Sequence, residues 1–174
     1  MSEDAHTLIQ RGHAQRREGQ LDDARQSFAE AVAAARRDGN DADLVPALKG
    51  LGQLERDLGH GERAIPLYEE AMELCLALED LPGLAHALRH LGDMHREAGS
   101  FSVATFPTEQ ALSLYRSLPA TPPLELANAM RSCALLREQL GESDAALALW
   151  REARALYQAA GVAEGVAECE RRLA

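Results

Sequence analysis

A glycine returns at a nearly fixed interval along this chain, and that interval constrains the fold more than any other feature. Four segments align: Arg16-Arg-Glu-Gly19, Arg56-Asp-Leu-Gly59, Arg96-Glu-Ala-Gly99 and Arg137-Glu-Gln-Leu-Gly141, with closing glycines 40, 40 and 42 residues apart. Each glycine ends one stretch of helical periodicity and precedes another, as a residue in the left-handed conformation just past a helix does. Seven residues earlier stands a second small residue, at Gly12, Gly52, Gly92 and Ala134. A mid-helix glycine costs up to ~1 kcal/mol in propensity, so its recurrence predicts close helix approach. Beyond each turn, Ala24, Phe28 and Ala31 recur as Ala64, Tyr68 and Ala71, as Ala104, Thr108 and Ala111, and as Ala146, Trp150 and Ala153. Spacing of i, i+4, i+7 puts each trio on one stripe of a second helix. The unit is a helix–turn–helix hairpin repeated four times.

These small and large positions, above all Leu51-Gly52, Gly59, Ala64, Tyr68 and Ala71 and again Leu91-Gly92, Gly99, Ala104 and Ala111, resemble the tetratricopeptide repeat. The usual period is 34; this longer one is similar to that of kinesin light chains and bacterial regulatory proteins. The expected fold is all-α: a right-handed superhelical solenoid of four hairpins plus a C-terminal capping helix. Residues 1–174 are read as a single domain, with repeats at about 4–40, 41–80, 81–120 and 121–161 and the cap at 162–174. First helices are expected at about 4–18, 42–58, 84–98 and 124–140, and second helices at about 21–38, 61–79, 101–118 and 143–160. The stretches 38–41 and 79–83 read as short polar linkers. Pro66 and Pro107 fall inside second helices, where each deletes a hydrogen bond and bends the helix. Thr108 replaces the large residue of the third repeat with Phe106 two positions earlier, so that helix is expected to start late.

Composition narrows the function. The 174 residues carry 18 Lys+Arg against 28 Asp+Glu, a formal charge of −10. Such a balance argues against binding to nucleic acid or an anionic membrane, and no apolar run reaches the ~18 residues of a membrane span. The N-terminal Met1-Ser-Glu-Asp-Ala-His6 lacks the basic and apolar regions of a secretory signal. Cys75, Cys133 and Cys169 are odd in number and far apart, which reads as a reduced, cytoplasmic protein; Cys133 stands at a core position as a small buried hydrophobe.

No phosphate loop, nucleophile elbow or CxxC pair is present, and Gly50-Leu-Gly52 lies within a helical period. With no convergent nucleophile, base and orienting group, the chain reads as no enzyme, with no cofactor. His86, His90 and Asp93 share a helical face at a spacing that admits a metal ion. Arg89 beside them disfavours a cation, however, so they are read as groove or surface residues.

The resemblance implies a binding module whose first helices line a concave groove. Its fifth inward position falls on Ile9, Lys49, Arg89, Arg131 and Arg171, and its twelfth on Arg16, Arg56, Arg96 and Glu138; seven of these nine are basic. Over all inward positions eight cations (Arg17 completes the set) face five anions, Asp57, Asp93, Glu97, Glu138 and Glu168. Internal pairing, such as Arg89–Asp93, competes with a ligand for these cations. Repeat-spaced arginines suit an extended partner bearing carboxylates, which guanidinium pairs bidentately. The expected peptide-binding set is Arg16, Lys49, Gln53, Arg56, His86, Arg89, Asp93, Arg96, Asn128 and Arg131, with an acidic or C-terminal peptide as partner. The likeness does not extend to the chaperone-tail carboxylate clamp, because Ile9 and His13 stand where that pattern wants Lys and Asn. Two other classes stay open: a ligand- or peptide-sensing regulatory module, and a homo-oligomer assembling through the cap or the first repeat.

Overall fold

A computed structural model describes residues 3–174; Met1 and Ser2, the first two residues of the stretch read against a secretory signal, lie outside the described residues. Nine α-helices and no strands are found among them: α1 Ala5–Arg17, α2 Leu21–Asp38, α3 Asp41–Asp57, α4 Gly61–Ala77, α5 Leu81–Glu97, α6 Phe101–Ser117, α7 Pro123–Gln139, α8 Ser143–Ala159 and α9 Ala163–Leu173. The chain divides into two compact units between Ala87 and Leu88, within α5. In the first unit α1 packs on α2, α2 on α3 and α3 on α4; in the second α6 packs on α7, α7 on α8 and α8 on α9.

One turn design joins most of these helices. Gly19, Gly39, Gly59, Gly99, Gly141 and Gly161 all have positive φ. The next amide reaches back across each turn, as from His60 to the Glu55 carbonyl at 2.8 Å and from Ser100 to that of His95 at 2.8 Å. This is the Schellman closure, which satisfies carbonyls the helix end leaves unpaired. Glu79 takes the same place with φ 55°, a non-glycine residue in a region that favours glycine. The exception follows α6, where Leu118 is extended because it precedes Pro119. There the Thr121 hydroxyl donates to the Tyr115 carbonyl at 2.7 Å, which accommodates the longer spacing between Gly99 and Gly141.

Small and large positions meet as the spacing requires. Phe28, Tyr68 and Trp150 are fully buried. The Phe28 ring lies against both Gly12 and Gly50, and Tyr68 lies against Gly52. In the second unit Thr108 occupies the equivalent place, its hydroxyl and backbone pressed against Gly92.

Three expectations are corrected. Helix α6 starts at Phe101, two residues after its turn glycine like the other second helices, so Pro107 does not delay it. Phe106 is not a displaced core residue: it is 68% exposed, while Thr108 is buried. Helix α5 starts at Leu81, not 84, because the Asp80 carboxylate accepts from the Gly83 amide at 2.9 Å and caps it. Pro82 then sits in the first turn, where its missing N–H costs nothing. The helix runs through Pro66 and Pro107, and also through Pro46 in α3, which the sequence pattern did not single out.

Candidate functional site

The polar residues of the first helices fall into two sets, one in each unit. In the first unit, Arg16 of α1 donates to one Asp57 oxygen of α3 through Nε at 2.9 Å and Nη2 at 2.5 Å. Gln53 donates to the other Asp57 oxygen at 2.7 Å. Lys49 and Arg56 are half-buried on the same helix. Ile9, expected on the inward face, is instead buried in the core formed by α1, α2 and α3. His86 is half-buried, its ring 6.2 Å from that of Tyr68.

The second unit holds a denser set. Arg89 is 9% exposed and Asp93 3%. Arg89 approaches Asp93 and Glu125 at 3.8 Å each, and Arg96 approaches Asp93 at 3.8 Å and Glu97 at 3.2 Å. Arg89 Nη2 also lies 3.1 Å from His90 Nε2. The Nε atoms of Arg89 and Arg96 are buried without a hydrogen-bond partner.

Arg131 differs. It makes a two-pronged contact with Glu168 of α9, Nε to one oxygen at 2.6 Å and Nη2 to the other at 3.1 Å. Burial opposes the Arg131 charge, yet these bonds with Glu168 raise its pKa above the ordinary guanidinium value. Two tyrosines from second helices complete the arrangement. Tyr157 donates to Asn128 Oδ1 at 2.9 Å, and Tyr115 to Glu125 at 3.3 Å. Burial pushes both phenols up to about 12, against the opposing charge of Arg89 at Tyr115 and chiefly of Arg131 at Tyr157.

The geometry therefore gathers Arg89, Asp93, Arg96, Asn128 and Arg131 in one unit, and Arg16, Lys49, Gln53, Arg56 and His86 in the other. Among the described residues no group of three or more His, Cys, Asp or Glu is placed to hold a metal ion, and no helix is long and apolar enough to cross a membrane.

The profile of the tetratricopeptide repeat matches residues 3–77 and 47–117. The chain belongs to the tetratricopeptide-repeat family. No curated protein matches its sequence. Solved structures do: BtubC (BKLC) from P. vanneervenii is 20% identical with a TM-score of 0.80, covering 91% of this chain and 65% of that one. Aspartyl phosphate phosphatase F from Bacillus subtilis is 16% identical with a TM-score of 0.82, covering 95% and 43%. A Rap protein complexed with Competence and Sporulation Factor is 12% identical with a TM-score of 0.81, covering 97% and 47%. At these identities the likeness shows the tetratricopeptide solenoid fold alone. This tetratricopeptide-repeat protein spans from 43% to 65% of the length of those structures. Family membership supports a protein-interaction scaffold.

Sequence reasoning missed Tyr115, Glu125 and Tyr157 as members of the polar set. A signal existed: the place four residues past the second alanine of each trio holds Ala35, Cys75, Tyr115 and Tyr157. It is small in the first two repeats of this tetratricopeptide-repeat protein and a tyrosine in the last two.

Proposed function

We propose that the chain is a peptide-binding scaffold that takes an extended acidic segment against its first helices, with Arg89 and Arg96 as the principal anchors. The observation that carries this reading is their incomplete pairing. Both face Asp93 at 3.8 Å, longer than the 2.7–2.9 Å of a well-formed charged hydrogen bond, and each keeps a buried Nε without an acceptor, while Arg96 Nη2 donates to Glu97 at 3.2 Å. An unsatisfied buried donor costs about 1–3 kcal/mol, which an incoming carboxylate recovers. Arg16, Lys49, Gln53, Arg56, His86, Asn128 and Arg131 are the further contacts of this reading, in a cytoplasmic, single-domain protein.

The test is fluorescence anisotropy with a panel of extended peptides, each made in an acidic form and as its Gln/Asn counterpart. Acidic forms are expected to bind more tightly, with affinity falling as salt rises, and Arg96→Gln is expected to weaken them about tenfold. Equal binding of acidic and amide forms sinks the reading. A second reading, a sensing module, draws support from the Rap protein solved with Competence and Sporulation Factor, a bound factor on the same fold.

A further inference from the structure

The outer side of the second unit carries a groove that the proposed peptide site does not use. Helices α6 and α8 form its walls and α7 its floor, enclosing about 740 Å³. Leu112, Cys133 and Leu149 supply apolar surface inside it, and Ser113, Ser117, Ala145 and Ala148 are small enough to leave it open. Its rim is tied by charge: Arg116 of α6 pairs with Glu152 of α8 at 3.0 Å, and Arg137 of α7 pairs with Glu142 at 2.5 Å and with Glu109. That volume lies within the ~300–1,000 Å³ of ligand pockets, ample for an aromatic ring.

The same helix presents such a ring. Phe106 is 68% exposed and Val103, one turn earlier, 54%. Among the described residues Phe106 is the single exposed aromatic. At 100° per residue, Ser113 and Ser117 lie within about 20° of Phe106 around α6. A projecting ring and an open, small-walled groove thus share one stripe, separated by roughly 14 Å along the helix at 1.5 Å per residue. Two such helices placed antiparallel about a two-fold axis near residues 110–111 set each ring over Ser113 and Ser117 of the other. The same placement brings Glu109 within about one turn of the other copy's Arg116, so unlike charges flank the contact. A surface complementary to itself in this way is what a two-fold interface requires.

We propose that a second copy of this chain docks here, pairing α6 with α6 and seating Phe106 of each copy in the groove of the other. Aromatic side chains that fill a pocket near the centre of an interface dominate its affinity, so Phe106→Ala should weaken association at least tenfold. Sedimentation of the whole chain over a concentration series tests it. The expected result is a concentration-dependent dimer that Phe106→Glu and, from the groove side, Ser113→Arg each convert to monomer with unchanged helical circular dichroism. Both sites are exposed, so neither change removes a core contact. A wild-type chain that stays monomeric throughout overturns the proposal, and so does a dimer that persists in either variant. Gln110→Cys gives an independent reading, since its two copies meet beside the axis while the native cysteines are all buried. Under an added thiol oxidant it is expected to form a covalent dimer and Arg151→Cys on α8 is not; failure of Gln110→Cys to link overturns the antiparallel pairing.

Discussion

Replacing Gly50 by alanine should destabilise the protein even though the substitution ordinarily favours a helix. Gly50 lies in α3, where alanine gains up to ~1 kcal/mol in propensity. A Cβ at this position, however, would lie 2.7 Å from Phe28 Cδ1, 3.0 Å from Cζ and closer still to Cε1. The ring has little room to give, because it also packs close to Gly12, where a Cβ would come within 2.9 Å of Cε1. The His13 ring packs edge-on at 5.0 Å and closes a further direction. Overpacking of a filled core costs about 1–3 kcal/mol, and a fully buried ring packed close to two glycines belongs at the upper end. Net of the propensity gain, a loss of about 1–2 kcal/mol is expected, equivalent to a fall in melting temperature of roughly 2–8 °C for a chain of this size. Thermal and urea unfolding followed by circular dichroism measure it. Gly61→Ala, where a Cβ meets nothing within 4 Å, should be neutral or stabilising. Phe28→Leu should lose less in the Gly50→Ala background than in the wild type, a coupling that a double-mutant cycle reads directly. A Gly50→Ala protein as stable as the wild type, or additivity in that cycle, refutes the reasoning.

Three other outcomes are expected. Glu79→Gly should raise stability by about 0.5–1 kcal/mol in urea titrations, since release from the left-handed conformation (~1–2 kcal/mol) exceeds the entropy glycine adds to the unfolded chain; a loss would mean that the Glu79 side chain makes a compensating contact. Burial raises the thiols of Cys75 and Cys133 from 9.0 to about 11 and 12, and the phenols of Tyr115 and Tyr157 from 10.0 to about 12. Their contribution is therefore complete below about pH 9 and lost as pH rises towards 12, because the unfolded chain releases these protons first; melting temperatures that stay level from pH 8 to 11 contradict it. Tyr157→Phe removes the bond to Asn128 and should cost about 0.5–1.5 kcal/mol in the same titrations, while an unchanged midpoint would show that water replaces it.

The repeat was legible because two local rules coincide at each hairpin. A turn glycine needs positive φ, and a mid-helix glycine needs a ring or a backbone pressed against it, so both leave a mark at fixed spacing. Gly12 with Phe28 and Gly52 with Tyr68 could be paired from sequence alone, each pair 16 residues apart. Where one rule was met by an unusual residue, the reading slipped. Glu79 stands where glycine was the signal, and the Leu81-Pro82-Gly83 stretch looked like a linker although Asp80 caps a helix that includes it. The helix of the third repeat was expected to start late because Thr108 replaces the large residue with Phe106 two positions earlier, yet a threonine suffices where the opposing Gly92 backbone comes close. Charge pairing was the least legible feature. Arg16 meets Asp57 and Arg131 meets Glu168 across 41 and 37 residues, separations that depend on which helices become neighbours and on the reach of flexible side chains.

That pairing changes what a row of cations implies. Seven basic residues at two repeat positions suggest a uniform ladder, but a cation binds a ligand only where the ligand's carboxylate is better placed than the internal one. Arg131 already holds Glu168 through two bonds, at 2.6 and 3.1 Å, and Arg16 holds Asp57 through two. A partner must displace those carboxylates, so little net affinity comes from either. Arg89 and Arg96 share Asp93 at 3.8 Å and keep donor capacity in a site shielded from water, where an added acceptor counts for more than at the surface. Charge reversal is a poor probe at Arg89, because a glutamate there would set an unpaired anion beside buried Asp93 and cost several kcal/mol of stability. Arg96, at 15% side-chain exposure, tolerates neutralisation better, and for that reason Arg96→Gln separates loss of a ligand contact from loss of the fold.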